Sequence, residues 1–444
     1  MPSKGVSRRE FVRRAGVAAA AFHIVPRHVL GRGYRAPSDT LSIGCVGVGG
    51  MGRTDVRGLE GETIYALCDV DSKMGEDAFV SYPRAKRYRD FREMLEKDGR
   101  NIDAVTVSTA DHTHAVVAMA ALKAGKHVYC QKPLARTLSE VRSLMEEARR
   151  RPSQATQMGN QGHSQEGTRQ IREWVEAGLI GKIERVELWT DRPIWPQGID
   201  RPTEAHNVPP WLDWDLWLGP AASRPYHPAY APFRWRGWWD FGTGALGDIA
   251  CHSMDAAFWA LDLGFPSRIS AESSALFPET APKSSRIEYD FPARGSRGPI
   301  KVVWRDGGLL PPKPPVLDAR WPPMSDGGQL WVGDQGGILA GLYGQSPRLL
   351  DPAKQEAVTK SPLPVQYPRT EGVYKEWVAA CKAATQPGSN FAGHAGPLTE
   401  MVLLGNLAVR LARPLELDPA TGAVTSTAVP EELVTPEYRS GWKL

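Results

Sequence analysis

The sequence predicts a two-domain α/β protein: a parallel, doubly wound sheet first, then an α/β domain with an open, largely antiparallel sheet. The chain has 444 residues, more than one average domain holds. Apolar strands alternate with helical stretches between about residues 41 and 130, a pattern typical of parallel sheets. From about residue 182, strands with alternating polar and apolar residues are separated by Trp-, Pro- and Gly-rich loops, which favours antiparallel pairing.

The elements follow in order along the chain. In the first domain we expect strands at 41–48, 64–69, 104–108 and 127–130, with helices near 90–97 and at 115–124. In the second we expect strands at 183–190, 268–276, 285–291 and 300–304, a Pro-rich surface loop or lid at 311–323, and helices at 373–384 and 398–411. The predicted domains are therefore a leader at 1–38, a nucleotide-binding domain at 39–165, a substrate-binding and oligomerisation domain at 166–397, and a C-terminal helix and tail at 398–444 that packs back on the first domain.

Charge and hydropathy exclude two classes of protein. Residues 1–35 carry eight of the 54 basic side chains and one of the 50 acidic ones, so the rest of the chain has a formal charge of −3. Such a body has no electrostatic footprint for nucleic acid. No apolar run approaches the ~20 residues that span a bilayer, which argues against an integral membrane protein.

The leader resembles a twin-arginine export signal. Residues 7–12 read SRREFV and precede a short apolar stretch at 15–22. We therefore expect a protein exported to the periplasm or beyond, and tethering through a retained leader stays open because no clear cleavage site follows. The alternative is a plain basic N-terminus on a cytoplasmic protein. The five cysteines are widely spaced within apolar runs and predict buried thiols.

A glycine-rich turn predicts a dinucleotide site. Residues 47–52 read GVGGMG between a strand and a helix. Gly47 permits the tight turn, Gly49 lets the backbone approach a pyrophosphate, and Gly52 lets helix and strand pack closely. We expect Gly50 and Met51 to line the same site, where the helix N-terminus faces the phosphates.

Asp69 predicts the choice of cofactor. It ends the second strand 22 positions after Gly47, where its carboxylate can accept hydrogen bonds from ribose hydroxyls and would repel a 2′-phosphate. Val70 and Asp71 follow it, so no arginine stands there to bind that phosphate. NAD is therefore favoured over NADP. The alternative for the whole motif is a tight glycine turn in an unrelated α/β fold.

Two further segments resemble the Gfo/Idh/MocA family (glucose–fructose oxidoreductase, inositol dehydrogenase and rhizopine catabolism). Residues 109–114 read TADHTH and residues 121–133 read ALKAGKHVYCQKP. The resemblance implies cofactor contacts from Thr109 and His114, and a lysine, Lys132, beside both the nicotinamide and the substrate hydroxyl. Gln131 stands where the family usually has a glutamate, which removes a possible charge partner of Lys132.

A third segment matches the family's D-x-x-x-H-x-x-D helix. Asp248, His252 and Asp255 are four and three residues apart, so we expect them to share one helix face. The resemblance implies that His252 is the general base and that Asp248 orients substrate, while Asp255 either holds the helix or pairs with an arginine. Metal ligation and a purely structural histidine are the alternatives, and we predict no metal site.

Other polar and aromatic residues complete the predicted pocket. Asn160, Gln161 and His163 close a strand at the domain boundary and could reach substrate hydroxyls, or could instead cap the next helix. Tryptophans at 211–217 and 235–239 could stack on sugar C–H surfaces, although most such residues pack loops. Among these residues we assign substrate contact to Arg236 and Trp238.

The sequence thus predicts an NAD-dependent oxidoreductase that acts on a sugar, polyol or glycoside. An exported protein has no evident pool of soluble NAD, so we expect a tightly held cofactor that is reduced and reoxidised in each cycle. The alternatives are an NAD-dependent glycosidase that works through a transient keto-sugar, and, from a different class, a non-catalytic sensor of NAD or sugar. Family relatives imply a homo-oligomer.

Overall fold

A computed structural model describes residues 39–313 and 326–444. The leader prediction lies outside these residues, and so does most of the Pro-rich segment predicted at 311–323. Residues Leu41–Leu444 form one compact unit.

The first sheet has six parallel strands in the order β3-β2-β1-β4-β5-β6. The predicted fold class is therefore confirmed for this domain. The central strands β1 and β4 are almost entirely buried and apolar, as expected where helices cover both faces of a parallel sheet. The strands are β1 Ser42–Val46, β2 Thr63–Cys68, β3 Lys86–Tyr88, β4 Ala104–Val107, β5 His127–Cys130 and β6 Thr156–Met158.

Helices connect these strands. They are α1 Met51–Gly58, α2 Glu76–Ser81, α3 Phe91–Asp98, α4 Asp111–Lys123, α5 Leu138–Arg150 and, after β6, α6 Glu166–Glu176. Helix α5 was not predicted from the sequence, although Thr137 and Glu140 form a capping box at its start. Helix α4 begins four residues earlier than predicted. Those four residues are buried, and protein groups satisfy the side chains of Asp111 and His112.

The second sheet has eight strands in the order β13-β12-β11-β7-β10-β9-β8-β14. Its pairs are antiparallel except for the parallel pair β7–β10, so the sheet is largely antiparallel, as predicted. Strands β11 and β12 were not predicted from the sequence, because both begin and end with glycine, which carries little strand signal. The strands are β7 Ile183–Thr190, β8 Arg268–Ser273, β9 Ser285–Phe291, β10 Ile300–Arg305, β11 Gly327–Gly333, β12 Gly336–Gly341, β13 Arg348–Leu349 and β14 Leu415–Glu416.

The remaining helices join the two sheets. They are α7 Trp214–Leu218, α8 Gly244–Ser253, α9 Asp255–Ala260, α10 Pro352–Lys360, α11 Val373–Ala383, α12 Gly396–Leu411 and α13 Glu431–Val434. Helix α12 packs against α5 of the first domain and against α8 and β8 of the second. One hydrophobic core therefore runs through both domains, and it fixes α8 relative to the first sheet.

Two predictions about chemistry and environment can be compared with the fold. All five cysteines are buried free thiols, as predicted. Among the described residues, none of the helices has the length and apolar character that a membrane crossing requires.

Candidate active site

A cavity of about 910 Å³ opens where the carboxyl ends of β1, β2, β4 and β5 face helix α8. Open parallel sheets bind ligands at this edge, beside the point where the strand order reverses, here between β1 and β4. The predicted site residues on its wall are Gly47, Gly49, Gly50, Met51, Asp69, Thr109, Lys132, Gln161, Arg236, Asp248 and His252.

The glycine turn is shaped by close backbone contacts. Gly47 has φ +75°, and a Cβ there would lie 2.7 Å from the Ser108 carbonyl. At Gly49 a Cβ would come within 2.8 Å of Met74. Gly52 lies off the cavity wall, where a Cβ would collide with the Gly47 carbonyl oxygen. The turn therefore brings bare backbone to the cavity at the start of α1, which fits the pyrophosphate of a dinucleotide.

Asp69, which follows β2, contacts the glycine turn from the neighbouring strand. Its Oδ2 accepts hydrogen bonds from the backbone N–H groups of Val48 (2.8 Å) and Gly49 (3.1 Å), and its Oδ1 from that of Asp71 (2.9 Å). Burial raises the pKa of Asp69 to about 6, although these N–H groups oppose the rise. Arg53 and Arg89 also line the cavity. The cofactor prediction considered only Val70 and Asp71 as possible phosphate-binding residues, so it did not include these two arginines.

Lys132 and Asp248 form the polar centre of the cavity. The Lys132 Nζ lies 2.7 Å from the Asp248 carbonyl oxygen and 2.9 Å from its Oδ1. The Arg236 Nε donates to the same Oδ1 at 3.1 Å. Burial alone would raise the pKa of Asp248, but the charges of Lys132 and Arg236 lower it to about 2. Asp248 is therefore an ionised carboxylate that fixes the lysine.

His252 lies one turn further along α8. It is buried, and no hydrogen-bond partner of its Nδ1 lies among the described residues. Its ring centroid is 4.6 Å from that of Tyr343, which also lines the cavity. Burial and the neighbouring Lys132 charge lower its pKa to about 3. A neutral imidazole on the cavity wall can accept a proton from a bound hydroxyl group.

Asp255, Asn160 and His163 belong to a separate buried network, which corrects the substrate contacts predicted for Asn160 and His163 and excludes the arginine partner that was one alternative for Asp255. Asp255 starts α9 and pairs with two histidines instead of an arginine: its Oδ1 lies 3.1 Å from the Nδ1 of His163 and 2.6 Å from the Nε2 of His394. The Nδ2 of Asn160 donates to the same oxygen at 2.7 Å, and the side chains of Asn160 and His163 do not line the cavity.

The same network is a group of potential metal ligands. Donor atoms of His163, Asp255 and His394 all lie within 4.8 Å of one another. Hydrogen bonds to Asp255 account for the arrangement of these side chains without an ion. Burial alone would raise the pKa of Asp255, but its interactions and hydrogen bonds with His163 and His394 lower it.

His114 and Trp238 also lie off the cavity wall. The ring nitrogens of His114 lie 2.8 Å from the Pro133 carbonyl oxygen and 3.1 Å from that of Thr109, so this buried histidine holds two cavity loops together. Trp238 is fully buried and donates its indole N–H to the Ala229 carbonyl oxygen. Both residues pack the protein instead of facing a ligand.

Gln131 is held by a carboxylate from another element. Its Nε2 donates to both oxygens of Asp55 on α1, at 2.9 and 3.0 Å. Asp55 is buried and also accepts hydrogen bonds from the hydroxyl groups of Ser108 and Tyr374. The carboxyl group of Asp55 is thus still present near Lys132. It does not line the cavity itself, because Gln131 lies between Asp55 and the cavity.

The structure adds cavity residues that sequence reasoning missed: Asp111, Trp195, Tyr343 and Trp442. Asp111 could have been predicted as a cavity residue, because it belongs to the segment 109–114 that carries the family resemblance. Burial raises its pKa to about 7, although a hydrogen bond from Thr243 opposes the rise. Tyr343 and Trp442 come from distant parts of the chain and carry no local signal.

Two sequence models of one family match the chain. "Oxidoreductase family, NAD-binding Rossmann fold" matches residues 41–158, and "Oxidoreductase family, C-terminal alpha/beta domain" matches residues 167–297. Together they cover more than half of the chain.

Curated relatives and solved structures agree with this result. An inositol 2-dehydrogenase of Salmonella typhimurium is 30% identical over 148 residues, covering 32% of this chain and 44% of that protein. A "Glycosyl hydrolase family 109 protein" of Shewanella pealeana is 27% identical over 205 residues, covering 40% and 44%. The match thus spans less than half the length of these relatives.

The fold recurs in the WlbA dehydrogenase of Bordetella pertussis, solved with NADH and UDP-GlcNAcA. That structure superposes with a TM-score of 0.58 at 16% identity, covering 85% of this chain and 99% of that one. The cavity lies where the glycine turn of the NAD-binding domain meets the Asp248–His252 helix of the C-terminal domain, and both domains match models of one family. The chain is therefore a member of the Gfo/Idh/MocA oxidoreductase family, with an N-terminal NAD-binding Rossmann domain.

Proposed function

We propose that this protein is an NAD-dependent oxidoreductase that removes hydride from a carbon of a sugar, polyol or glycoside. The observation that carries the proposal is the pairing, on one cavity wall, of a fixed lysine with a neutral histidine whose Nδ1 is unpartnered among the described residues. Inositol 2-dehydrogenases among the relatives support a polyol or sugar substrate.

The residues divide the proton chemistry between them. When NAD is bound, its nicotinamide supplies the hydride acceptor. His252 accepts the proton of the substrate hydroxyl group, and Lys132 donates a hydrogen bond to the same oxygen. Asp248 fixes Lys132 and stays ionised, so it also stabilises the positive charge that His252 gains.

The cofactor is proposed to remain bound through each cycle. A loop before α7 is bonded to the residues that follow Asp69: the Ser72 N–H donates to the Trp211 carbonyl oxygen (3.0 Å), and the Asp213 N–H donates to that of Val70 (2.9 Å). The Lys73 Nζ lies 4.7 Å from the centre of a Trp211 ring. These contacts support slow release of a dinucleotide, because they hold the chain beside Asp69 in a fixed position.

Trp442 supports the same proposal from the C-terminal tail. It lines the cavity, and the Arg92 guanidinium lies 4.3 Å from the centre of its ring. Retained NAD and the twin-arginine-like leader together favour an exported enzyme whose cycle is redox-neutral. Periplasmic location, membrane tethering if the leader is retained, and assembly as a homo-oligomer all belong to this proposal.

A second candidate is a glycosidase that uses the same first step, and the Shewanella pealeana relative favours it. Oxidation of a ring hydroxyl group to a ketone acidifies the neighbouring C–H. Loss of that proton breaks the glycosidic C–O bond and releases an alcohol, and water then adds to the resulting C=C bond. The hydride returns with a proton to regenerate the hydroxyl group, so the net reaction consumes one glycoside and one water.

Mass spectrometry of the small molecules released by denaturing the purified protein tests the proposal. We expect NAD at close to one equivalent. A panel of sugars, polyols and glycosides should then contain a compound that the protein consumes. A protein that releases no NAD and binds none when it is added would contradict the proposal, and NAD binding without consumption of any compound would favour the sensor.

A further inference from the structure

Two packed segments, residues 192–197 and 232–237, form one wall of the cavity mouth. A Cβ on Gly237 would collide with the Pro196 carbonyl oxygen, so the segments lie in direct backbone contact. The Trp195 Nε1 donates to the Gln197 Oε1 at 2.9 Å, and both Trp195 and Trp235 are buried. The wall is therefore well supported from behind.

Two large apolar side chains of this wall line the cavity and are also exposed to solvent. Ile194 is 64% exposed and Phe233 is 44% exposed, and both line the same cavity as Lys132 and His252. Single exposed apolar residues are ordinary on protein surfaces. These two differ because they share a cavity with acid–base groups, so a molecule bound there would cover them.

Arg236 connects this apolar lip, Ile194 and Phe233, to the catalytic centre. Its Nε donates to the Asp248 Oδ1 at 3.1 Å, and its guanidinium carbon lies 4.5 Å from the centre of the Phe233 ring. Its Nη1 also donates to the Phe233 carbonyl oxygen at 3.1 Å. Arg236 therefore contacts both the lip, at Phe233, and the Asp248 carboxylate that holds Lys132.

The charges on the wall favour a neutral ligand. Of its three arginines, the two that line the cavity each have a carboxylate partner: Arg192 lies 2.5 Å from an oxygen of Asp191, and Arg236 pairs with Asp248. The third, Arg234, is exposed and does not line the cavity. The described cavity residues of segments 192–195 and 232–236 include no acid. A phosphate or carboxylate in the cavity would have to compete for Arg192 and Arg236, which are already paired, whereas a flat apolar group gains contact with Ile194 and Phe233.

We infer that the apolar lip is an aglycone subsite, and that the substrate is a glycoside whose sugar reaches Lys132 and His252 while a planar, apolar aglycone covers Ile194 and Phe233. The inference rests on the proposed function and narrows its substrate class, because a free sugar or inositol would leave the lip in water.

Paired substrates and a double variant test this inference. The methyl and 4-nitrophenyl glycosides of each of several hexoses are compared by kcat/KM with the wild-type protein, with Ile194→Ser combined with Phe233→Ser, and with Val80→Ser as control. Val80 is 71% exposed on α2 and does not line the cavity. We expect the wild type and the control to prefer the 4-nitrophenyl glycoside at least about tenfold. The double variant should lose most of that preference, because its kcat/KM falls more for the 4-nitrophenyl glycoside than for the methyl glycoside.

A binding measurement separates failure of this inference from failure of the proposed function. Saturation-transfer NMR with 4-nitrophenol alone should detect contact with the wild type and the control but not with the folded double variant. If no glycoside is turned over but this pattern holds, the subsite stands and the proposed reaction fails.

Other results would overturn the subsite. Equal kcat/KM for methyl and 4-nitrophenyl glycosides would do so, and so would an unchanged preference in the double variant. Light scattering gives a further check: a double variant that dissociates from an oligomer while keeping its preference would make the lip an interface between copies of the chain.

Discussion

Asp248 holds Lys132 through two oxygen atoms, its own backbone carbonyl at 2.7 Å and its carboxylate Oδ1 at 2.9 Å. One residue in the middle of α8 therefore sets where the lysine of the first domain points, and His252 follows it by one helical turn. This contact joins the two domains at the site where we place the reaction.

Lys132→Met and His252→Ala should each lower kcat at least 100-fold, because both groups act on substrate protons and such roles contribute ~10²–10⁴-fold. NAD affinity should stay within about tenfold, since neither change alters the glycine turn. Steady-state kinetics and calorimetric titration with NAD measure the two effects. The matched control variants are Lys375→Met and His206→Ala, since both residues are exposed and lie outside the cavity. Turnover near the wild-type rate in either site variant would remove that residue from the mechanism.

Asp69→Ala should weaken NAD binding and narrow the preference for NAD over NADP. The carboxylate orders the glycine turn through the Val48 and Gly49 N–H groups and would repel a 2′-phosphate, so its loss affects both properties. Dissociation constants for both cofactors, measured by fluorescence titration, give the ratio. An unmodified protein that binds NADP as tightly as NAD would show that Arg53 or Arg89 outweighs Asp69.

Asp111→Asn should stabilise the protein more at pH 8 than at pH 5. Burial raises the pKa of Asp111 to about 7 from an ordinary value near 3.8, so stability is lost as the pH rises through the folded-state pKa. An asparagine can keep the Thr243 hydrogen bond without an ionised form. The difference between the two pH values should be about 2–3 kcal/mol in the free energy of unfolding. Urea unfolding of both proteins measures it, and equal effects at the two pH values would refute the raised pKa.

The sequence predicts best those features whose cause is local. The glycine turn, its helix and Asp69 lie within about twenty residues, and backbone sterics alone demand glycine at 47 and 52. Lys132 and His252 were identified because each lies within a short segment that resembles the family. The strands at 127–130, 183–190 and 285–291 were likewise predicted with correct bounds, since their residue patterns suffice.

Features that depend on distant partners could not be predicted in the same way. Asn160 and His163 resemble ligand-binding residues in the sequence, but the carboxylate of Asp255, more than 90 positions away, uses their polar atoms. The ring of His394, more than 230 positions away, packs against that of His163. Trp442 reaches the cavity because the tail is tied down, for example by the Tyr438 hydroxyl group, which donates to Glu140. Neither arrangement follows from spacing along the chain.

The central claim is that a retained cofactor serves a redox-neutral cycle on a carbohydrate. The most direct measurement is to incubate the purified protein, as isolated and without added NAD, with a glycoside that it consumes, and to follow product and NADH together. We predict many turnovers per protein molecule with no net accumulation of NADH and, if elimination occurs, deuterium beside the transiently oxidised carbon when the reaction runs in deuterated water. Stoichiometric NADH that stops increasing after one turnover, and resumes only when NAD is supplied, would contradict the claim and establish an ordinary dehydrogenase.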